Sequence, residues 1–461
     1  MRRALMRVAL ACGIATATIA PSSALAQRVT VSLDQAHNIG LEAFKQRNYK
    51  LSYSVAKQLL QAREDDIGAL ILLAASAPHV GEHKEGRIAA RKAYLKSKNP
   101  THKLNAATYA AVAAAKEKRP LLTQLWLRRA YQQAESDAQR TAIGNQYRQY
   151  SRTSPVKLSF AVSVSPSSNL NGGSESQFLT IDGAFPIGIL NGAAQALSGL
   201  RAQVRGRLTY TLSEEVAHKT TLTFAGNVSR VRLSSGARAL APTVSNSDLG
   251  DTELSARITH QIAHQGRPIP DTYSFALGQT WFGGDEYYSY ATASLGRSFR
   301  FGKKTRLNVS ATHTHQIFAG TQSDIGVSVL RFNLARQLQN RDVLRASFSL
   351  SDSQSDSNNS VYQSYSASLG YQLGKPIGPA SLSANVSYSE TTYDNYRIGF
   401  IQVPGGRKDQ TTHAKLDMTF NDISYMGFVP QMNISHIRTT SNISRFERKT
   451  TGVGFSFVSA F

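Results

Sequence analysis

The stretch from Arg445 to Phe461 decides the fold, and it reads RFERKTTGVGFSFVSAF. From Thr451 onward, larger apolar side chains alternate with mostly small ones. Successive side chains of a β-strand point to opposite faces, so an extended chain here carries one aromatic face and one face of small residues. The aromatic face consists of Val453, Phe455, Phe457 and Phe461. The pattern predicts a strand whose aromatic face meets an apolar environment.

This segment resembles the C-terminal β-signal of bacterial outer-membrane proteins, in which apolar residues at alternate positions precede a terminal aromatic residue. In a membrane barrel, one face of the closing strand contacts lipid, which accounts for the exposed aromatic row. Ser459 is the one break in that row. The alternative is the last strand of a soluble sandwich, which would bury the same face in a core.

Residues 1–26 predict a secretory signal peptide. The apolar run from Val8 to Ala20 follows a basic start and is too short to cross a membrane. Ala24 and Ala26 fit the small residues of a cleavage site, which would leave Gln27 as the first mature residue. The chain is therefore expected to be exported.

Cys12 is the only cysteine and lies inside this predicted signal. The mature chain is then expected to lack disulfides and cysteine metal sites. An alternative interpretation takes Ala9 to Cys12 as a lipoprotein box. Only four apolar residues separate Arg7 from Cys12, which argues against it.

Charge and hydropathy narrow the class of protein. The formal net charge of the 461 residues is +22, and the mean hydropathy is −0.28. After the signal, no stretch reaches the length of a spanning apolar helix, whereas barrel strands need apolar residues only at every second position. An exported basic protein is expected to meet lipid headgroups or an acidic passenger, and no nucleic acid.

Residues 27–152 predict a small helical domain, because their apolar residues recur at spacings of three and four. Ala56 and Ala90 are 34 residues apart, as are Leu60 and Tyr94. A period of 34 with small residues at helix crossings predicts tetratricopeptide-like (TPR-like) helical pairs, which bind polypeptide segments in a groove. Asp66 and Pro100 are interpreted as ends of such pairs. Trp126 and Tyr131 are assigned to the core.

The predicted helical domain is unusually basic. Between Gln27 and Pro155, Lys and Arg number 21 and Asp and Glu number 10, an excess of 11. Arg87, Arg91 and Lys92 are candidates for docking an acidic client or the membrane surface. The alternative is a solvated basic face.

Residues 153–155 form the predicted linker, and residues 156–461 predict an antiparallel β-barrel. Candidate strands of about 9 to 16 residues alternate apolar and polar side chains, and their length suits a tilted crossing of the bilayer. About fourteen strands can be counted, and even numbers are usual for bacterial barrels. The overall prediction is an α+β membrane protein with two domains, the second a 14-stranded transmembrane barrel. The segment from Ser165 to Gly199 is predicted as a long loop or small hairpin that folds over or into the lumen.

Motifs for catalysis or metal binding are weak throughout the chain. His313 and His315 share a strand face, and His260 and His264 have helix-like spacing, but neither pair has a third ligand nearby. We find no nucleophile elbow, phosphate loop, dinucleotide motif or carboxylate pair. No enzymatic activity, cofactor or metal is therefore expected.

The order of signal, short helical domain and barrel resembles the surface lipoprotein assembly modifier (Slam) family, the outer-membrane component of type XI secretion. Near the end of the chain, a Ser-Asn-apolar turn and an aromatic-acidic-Arg triplet carry the resemblance. They consist of Ser441, Asn442, Ile443, Phe446, Glu447 and Arg448. Ile181-Asp182-Gly183-x-Phe185 also looks like a family element, whereas the acidic residue often seen before Asn169-Leu170-Asn171 is absent.

The resemblance implies an outer-membrane translocator that exports or displays client lipoproteins or soluble proteins. Its expected partners are the client, outer-membrane lipids, the barrel-assembly machinery and periplasmic chaperones, with the helical domain in the periplasm. Two alternatives remain open: a polysaccharide exporter, whose repeat array is usually much longer, and a passive porin.

Overall fold

A computed structural model describes residues 31–184 and 187–459. The predicted signal peptide, Phe185 and Phe461 lie outside the described residues. Helices occupy the first part of the described chain, and a closed barrel occupies the second. The helices are α1 (Leu33–Lys45), α2 (Tyr49–Ala62), α3 (Ile67–Ser76), α4 (His83–Lys96), α5 (Pro100–Lys116), α6 (Pro120–Gln133) and α7 (Asp137–Thr153).

The helices pair in sequence, and local capping explains where they begin. Asp66 caps α3 by accepting a hydrogen bond from the Ala69 amide, and Asn99 caps α5 in the same way. Pro100 occupies the first turn of α5, where an amide hydrogen would have no acceptor within the helix, so its absence removes no hydrogen bond. Asp66 and Pro100 therefore lie between successive helical pairs, each four residues beyond the last residue of the preceding helix, which agrees with the pair ends expected from the sequence. The TPR-like character of the pairs stays a prediction.

Alanines at the helix crossings form the centre of the helical segment, defined here as Leu33–Thr153. Their short side chains let neighbouring backbones approach closely, and larger residues fill the gaps between pairs. Trp126 is 3% exposed, and Tyr131 packs against the same core, as expected from the sequence. The alanines that are fully buried include Ala56, Ala69, Ala74, Ala77, Ala90, Ala93, Ala107 and Ala110.

Eighteen strands follow the helices within the described residues, and four of them have only two residues. In chain order they are β1 (Val156–Ser167), β2 (Phe178–Leu179), β3 (Gly188–Ile189), β4 (Gly199–Glu214), β5 (His218–Leu233), β6 (Asp251–Ile262), β7 (Asp271–Phe282), β8 (Asp285–Phe301), β9 (Thr305–Phe318), β10 (Ile325–Gln337), β11 (Val343–Ser355), β12 (Tyr362–Gln372), β13 (Ala380–Tyr393), β14 (Arg397–Ile398), β15 (Ile401–Gln402), β16 (Arg407–Phe420), β17 (Phe428–Ser441) and β18 (Arg448–Ser459). A short helix, α8 (Ser235–Leu240), follows β5.

Fourteen of these strands close an antiparallel barrel, which confirms the predicted architecture. The ring runs β1-β18-β17-β16-β13-β12-β11-β10-β9-β8-β7-β6-β5-β4, and β4 returns to β1. The two-residue strands form separate hairpins, β2 with β3 and β14 with β15. At the closure, Val162 pairs with Phe457 and Val164 with Phe455.

The two faces of the barrel differ in chemistry. One face carries an exposed apolar belt, on which Phe160, Phe224, Leu277 and Phe455 are each 50–55% exposed. Burying such a side chain is worth about 1.5–3 kcal/mol, so a belt of them is unfavourable in water and suited to lipid. The other face is polar, and hydroxyl pairs bridge neighbouring strands, among them Thr209–Thr223, Thr292–Thr314, Ser349–Ser366 and Thr411–Thr439. The polar face therefore lines the lumen.

Arg128 of α6 joins the helical segment to one end of the barrel. Its guanidinium donates to the Met426 carbonyl oxygen at 3.1 Å and to the Ser459 Oγ at 2.8 Å. Its Cζ atom lies 4.3 Å from the centre of the Phe428 ring, and Gln132 accepts a hydrogen bond from the Met426 amide. We call this the helical end of the barrel and the opposite one the far end.

None of the described helices is both long and apolar enough to traverse a lipid bilayer.

Candidate functional site

Three connecting segments meet at the far end of the barrel: residues 168–198, 394–406 and 442–447. We call them together the cap. A hydrogen-bond network joins the first segment to the third across more than 250 residues of sequence. The Thr180 amide donates to Ser444 Oγ at 2.7 Å, and the Asp182 amide donates to the Asn442 carbonyl at 2.7 Å. The predicted long loop near Ser165–Gly199 is thus observed, and it folds over the barrel mouth.

One side of the cap packs on lumen-facing residues of β5. Leu170 and Leu197 pack with Val231 and Leu233, and α8 adds Ala237 to the same cluster. The guanidinium of Arg201, on β4, donates to the Leu170 carbonyl at 2.7 Å. Apolar burial and a charge-assisted hydrogen bond together hold residues 168–198 against the inner wall.

The other side of the cap is built around Ile443 and Arg407. Ile443 is fully buried with Tyr396 and Val403. The Asn442 side-chain amide joins the end of the 394–406 connection to the start of β16: its Nδ2 donates to the Gly406 carbonyl, and its Oδ1 accepts from the Lys408 amide, each at 2.8 Å. The cap therefore spans the strands from β5 through β1 to β13, half of the ring.

Arg407 begins β16 and faces the lumen directly beneath the cap. Its Nε donates to Asp409 Oδ2 at 3.0 Å, and both side chains are about 10% exposed. Its Cζ lies 3.3 Å from the centre of the Phe446 ring and 4.6 Å from that of Tyr393. A buried guanidinium needs such partners, because an isolated buried charge is strongly unfavourable. Arg407 thus fastens the third cap segment to the barrel wall.

The residues that carried the family resemblance lie in and beside this cap. Ser441 ends β17 and accepts a hydrogen bond from the Ile443 amide, while Asn442, Ile443 and Phe446 make the contacts just described. The Glu447 carbonyl accepts from the Glu175 amide, and Arg448 begins β18 close to Gly172. From these positions the motif residues hold the cap across the far mouth.

The predicted β-signal residues Val453, Phe455 and Phe457 lie on the belt face of β18. Phe455 and Phe457 are each 55% exposed, and both pair across the closure with β1. Gly452, Gly454 and Ser456 lie on the luminal face, as the alternation predicts.

The three candidate docking residues of α4 are not equivalent. Arg87 Nε donates to Glu117 Oε1 at 2.7 Å, and both side chains are largely buried. Lys92 contacts Glu64 at 2.8 Å and Asp65 at 3.3 Å, and the hydrogen bond to Glu64 raises its pKa. Only Arg91 is exposed, so two of the three side chains already hold neighbouring helices together.

The histidines serve hydrogen bonding within the barrel wall. His313 Nδ1 lies 2.9 Å from Ser328 Oγ, and His260 Nδ1 lies 2.9 Å from Thr220 Oγ1. His313 faces a groove of about 1210 Å³ on the belt side, whose lining includes Phe275 and Leu330. Among residues 31–184 and 187–459, no cluster of three or more His, Cys, Asp or Glu could hold a metal ion.

Cationic side chains dominate the luminal face. A cavity of about 780 Å³ lies against β1, β4, β5 and β6, and its lining includes Arg205, Arg207, Arg257 and Glu253. The strand register places further cationic residues on the same face, around the ring: Lys157, Arg201, Arg300, Arg306, Arg331, Arg345, Arg407, Lys415 and Arg448. The acidic residues on this face are fewer and include Asp251, Glu253, Asp409 and Asp417.

Sequence reasoning did not single out Arg407 or the luminal arginines. Arg205 and Arg207 carried a usable signal, since both alternate with the apolar Val204 and Leu208 of a predicted strand. Arg407 carried none, because its partners Phe446 and Tyr393 are distant in sequence.

A closed, even-stranded antiparallel barrel with an apolar outer belt and a polar lumen defines an outer-membrane β-barrel protein. Residues 252–461 match the family model described as surface lipoprotein assembly modifier. This match confirms the resemblance noted in the sequence, and the protein is assigned to the outer membrane.

The barrel is also similar to solved outer-membrane proteins. OmpT of Vibrio cholerae is 10% identical with a TM-score of 0.33, over 66% of this chain and 99% of that chain. OccAB3 of Acinetobacter baumannii is 10% identical with a TM-score of 0.35, over 65% and 98%. An outer membrane channel from Pseudomonas putida F1 is 10% identical with a TM-score of 0.32, over 66% and 95%. A comparison with curated proteins gives no match.

Proposed function

We propose that this protein translocates client proteins across the outer membrane, either surface lipoproteins or soluble secreted proteins. The family match over residues 252–461 carries the proposal, because the family is described by the assembly of surface lipoproteins. The client is received in the periplasm by the helical segment and leaves through the lumen or along the barrel. Such transport requires binding and release of the client, and no reacting group.

The arrangement of the two parts supports this assignment. The contacts of Arg128 hold the helical segment at one end of the lumen, and the cap closes half of the other end. A client that passes through the lumen from the helical end would therefore leave past the cap. A passive porin has no need of a docked helical segment, and a polysaccharide exporter would be expected to have a longer repeat array.

Gene deletion with three parallel readouts tests the proposal. We expect one or more surface-exposed proteins to disappear from the cell surface, as measured by protease shaving and mass spectrometry. Matrix polysaccharide and small-solute uptake should stay unchanged, and expression of the intact chain should restore the missing proteins. Loss of polysaccharide or of solute uptake alone, with the surface proteins intact, would contradict it.

A further inference from the structure

Five of the luminal arginines lie on opposed walls of the barrel. Arg205 and Arg207 lie on β4, and Arg257 lies on β6. Arg345 lies on β11, which is seven strands from β4 in either direction round the ring, and Arg331 lies on the neighbouring β10. Positive charge therefore faces the lumen from both sides.

The side chains around these arginines leave their charge available. Arg205 donates to Gln203, Arg257 to Ser274 and Arg345 to Gln372, which are all neutral partners. Within the described chain, none of the five arginines forms a salt bridge. By contrast, Arg407 and Lys415 are paired with Asp409 and Asp417. Unpaired luminal charge is therefore present on β4, β6, β10 and β11.

The position of these arginines inside the barrel strengthens their electrostatic field. A guanidinium inside a barrel is surrounded by a wall of low dielectric, so its field is screened less than that of one on an open surface. Opposed cationic walls focus a positive potential into the space between them. The cavity of about 780 Å³ beside Arg205, Arg207 and Arg257 has room for several side chains of an extended polypeptide.

We infer that the lumen binds acidic segments of polypeptide, and that Arg205, Arg207 and Arg257 are the principal contacts. This inference rests on the proposed function and specifies the chemistry of the client: the part that enters the barrel is rich in Asp and Glu. Each guanidinium can form two parallel hydrogen bonds with a carboxylate, which selects carboxylate-bearing chains over neutral ones.

The direct test uses the full-length purified protein in detergent. A fluorophore is attached at Ser255→Cys, which lies in the wall of the same cavity. The probes are an Asp/Glu/Ser decapeptide, a Lys/Ser decapeptide and polygalacturonate as an acidic polysaccharide. We expect the acidic decapeptide to bind at least tenfold more tightly than the basic one, with affinity that falls as salt rises. Equal binding of the two peptides, or tighter binding of polygalacturonate, would overturn the inference.

Two triple variants locate the effect. Arg205→Gln, Arg207→Gln and Arg257→Gln together should weaken binding of the acidic decapeptide at least tenfold. The control removes the same charge from exposed belt-face positions through Arg232→Gln, Arg438→Gln and Lys449→Gln. The control should bind like the unaltered chain, and equal loss in both variants would exclude a luminal site.

Ion selectivity in planar bilayers provides a second readout that needs no peptide. In a KCl gradient, the reversal potential should show chloride preference, and the luminal variant should shift it toward potassium while the control should not. If the purified barrel shows this preference but gene deletion leaves all surface proteins in place, the proposed function fails and the charge assignment stands. If deletion removes surface proteins but the lumen shows no anionic preference, only this inference fails.

Discussion

The guanidinium carbon of Arg407 lies 3.3 Å from the centre of the Phe446 ring, across 39 positions of sequence. Arg407 belongs to the wall of the barrel, and Phe446 belongs to the segment that closes its far mouth. A cation over an aromatic face contributes about 2 kcal/mol when both groups are desolvated. This contact therefore couples the state of the cap to a single luminal residue.

Replacing Phe446 with Ala should release the cap from the wall. We expect higher single-channel conductance in planar bilayers and greater sensitivity of cells to large antibiotics, because the connection from β17 to β18 loses its anchor. Arg407→Gln should do the same and also destabilise the barrel by about 3–5 kcal/mol, since it leaves Asp409 buried without its partner. Arg438→Gln, on the belt face, is the matched control. Unchanged conductance in Phe446→Ala would show that the cap does not limit passage.

Replacing Arg128 with Ala should loosen the helical segment from the barrel. The change removes the hydrogen bonds to Met426 and Ser459 and the contact with the Phe428 ring. We expect limited proteolysis to cut the connection at residues 153–155 several times faster, while heat-modifiable migration of the barrel in gels stays unchanged. Arg140→Ala, which removes only an exposed pair with Asp137, should leave the cleavage rate as it is.

Replacing Asp66 with Ala should destabilise the helical segment by about 1 kcal/mol, because α3 loses its N-cap. Thermal unfolding followed by helical circular dichroism measures the effect, and Asp34→Ala on exposed α1 is the control. Loss of helical stability with both variants alike would argue against the capping role.

The ionisation of Asp66 should also make the stability of the helical segment depend on pH. Burial raises the pKa of its carboxyl. The hydrogen bond from the Ala69 amide and the nearby His37 lower this pKa by more than burial raises it, so the net shift is downward. A folded-state pKa below the unfolded value of about 4 stabilises the helices above that pH, and this contribution is lost as the pH falls through the folded pKa. Melting temperatures measured from pH 6 downward should therefore converge between the unaltered chain and Asp66→Asn below about pH 4.

Replacing Phe455 and Phe457 with Ser should impair assembly of the barrel. Both side chains lie on the belt beside the closure with β1, so polar substitutes would lose lipid contact and the apolar pairs with Val164 and Val162. The fraction of heat-modifiable, folded protein in outer-membrane extracts should drop several-fold. Ser456→Asn, on the luminal face, should assemble normally, and an equal defect there would indicate a general effect on β18.

The alternation of residues 156–461 was sufficient to predict about fourteen strands and the lipid-facing side of the last one. Periodicity is a local property that can be seen in the sequence. Strands that cross lipid must close into a barrel, because no other arrangement of strands satisfies their backbone hydrogen bonds there. The same reasoning located the helical segment from its spacing of three and four. It placed Asp66 and Pro100 between helical pairs, but periodicity does not show that these residues start α3 and α5, which follows from helix capping.

Tertiary structure decided the cap and the charge of the lumen. The bonds of Ser444 with Thr180, and of Asn442 with Gly406, join segments that no local pattern connects. Likewise, Arg205 and Arg345 lie on opposite walls only because fourteen strands close into one ring. The local sequence determines the face of the strand on which each side chain lies. Which side chains come into contact across the barrel is determined by closure of the whole sheet.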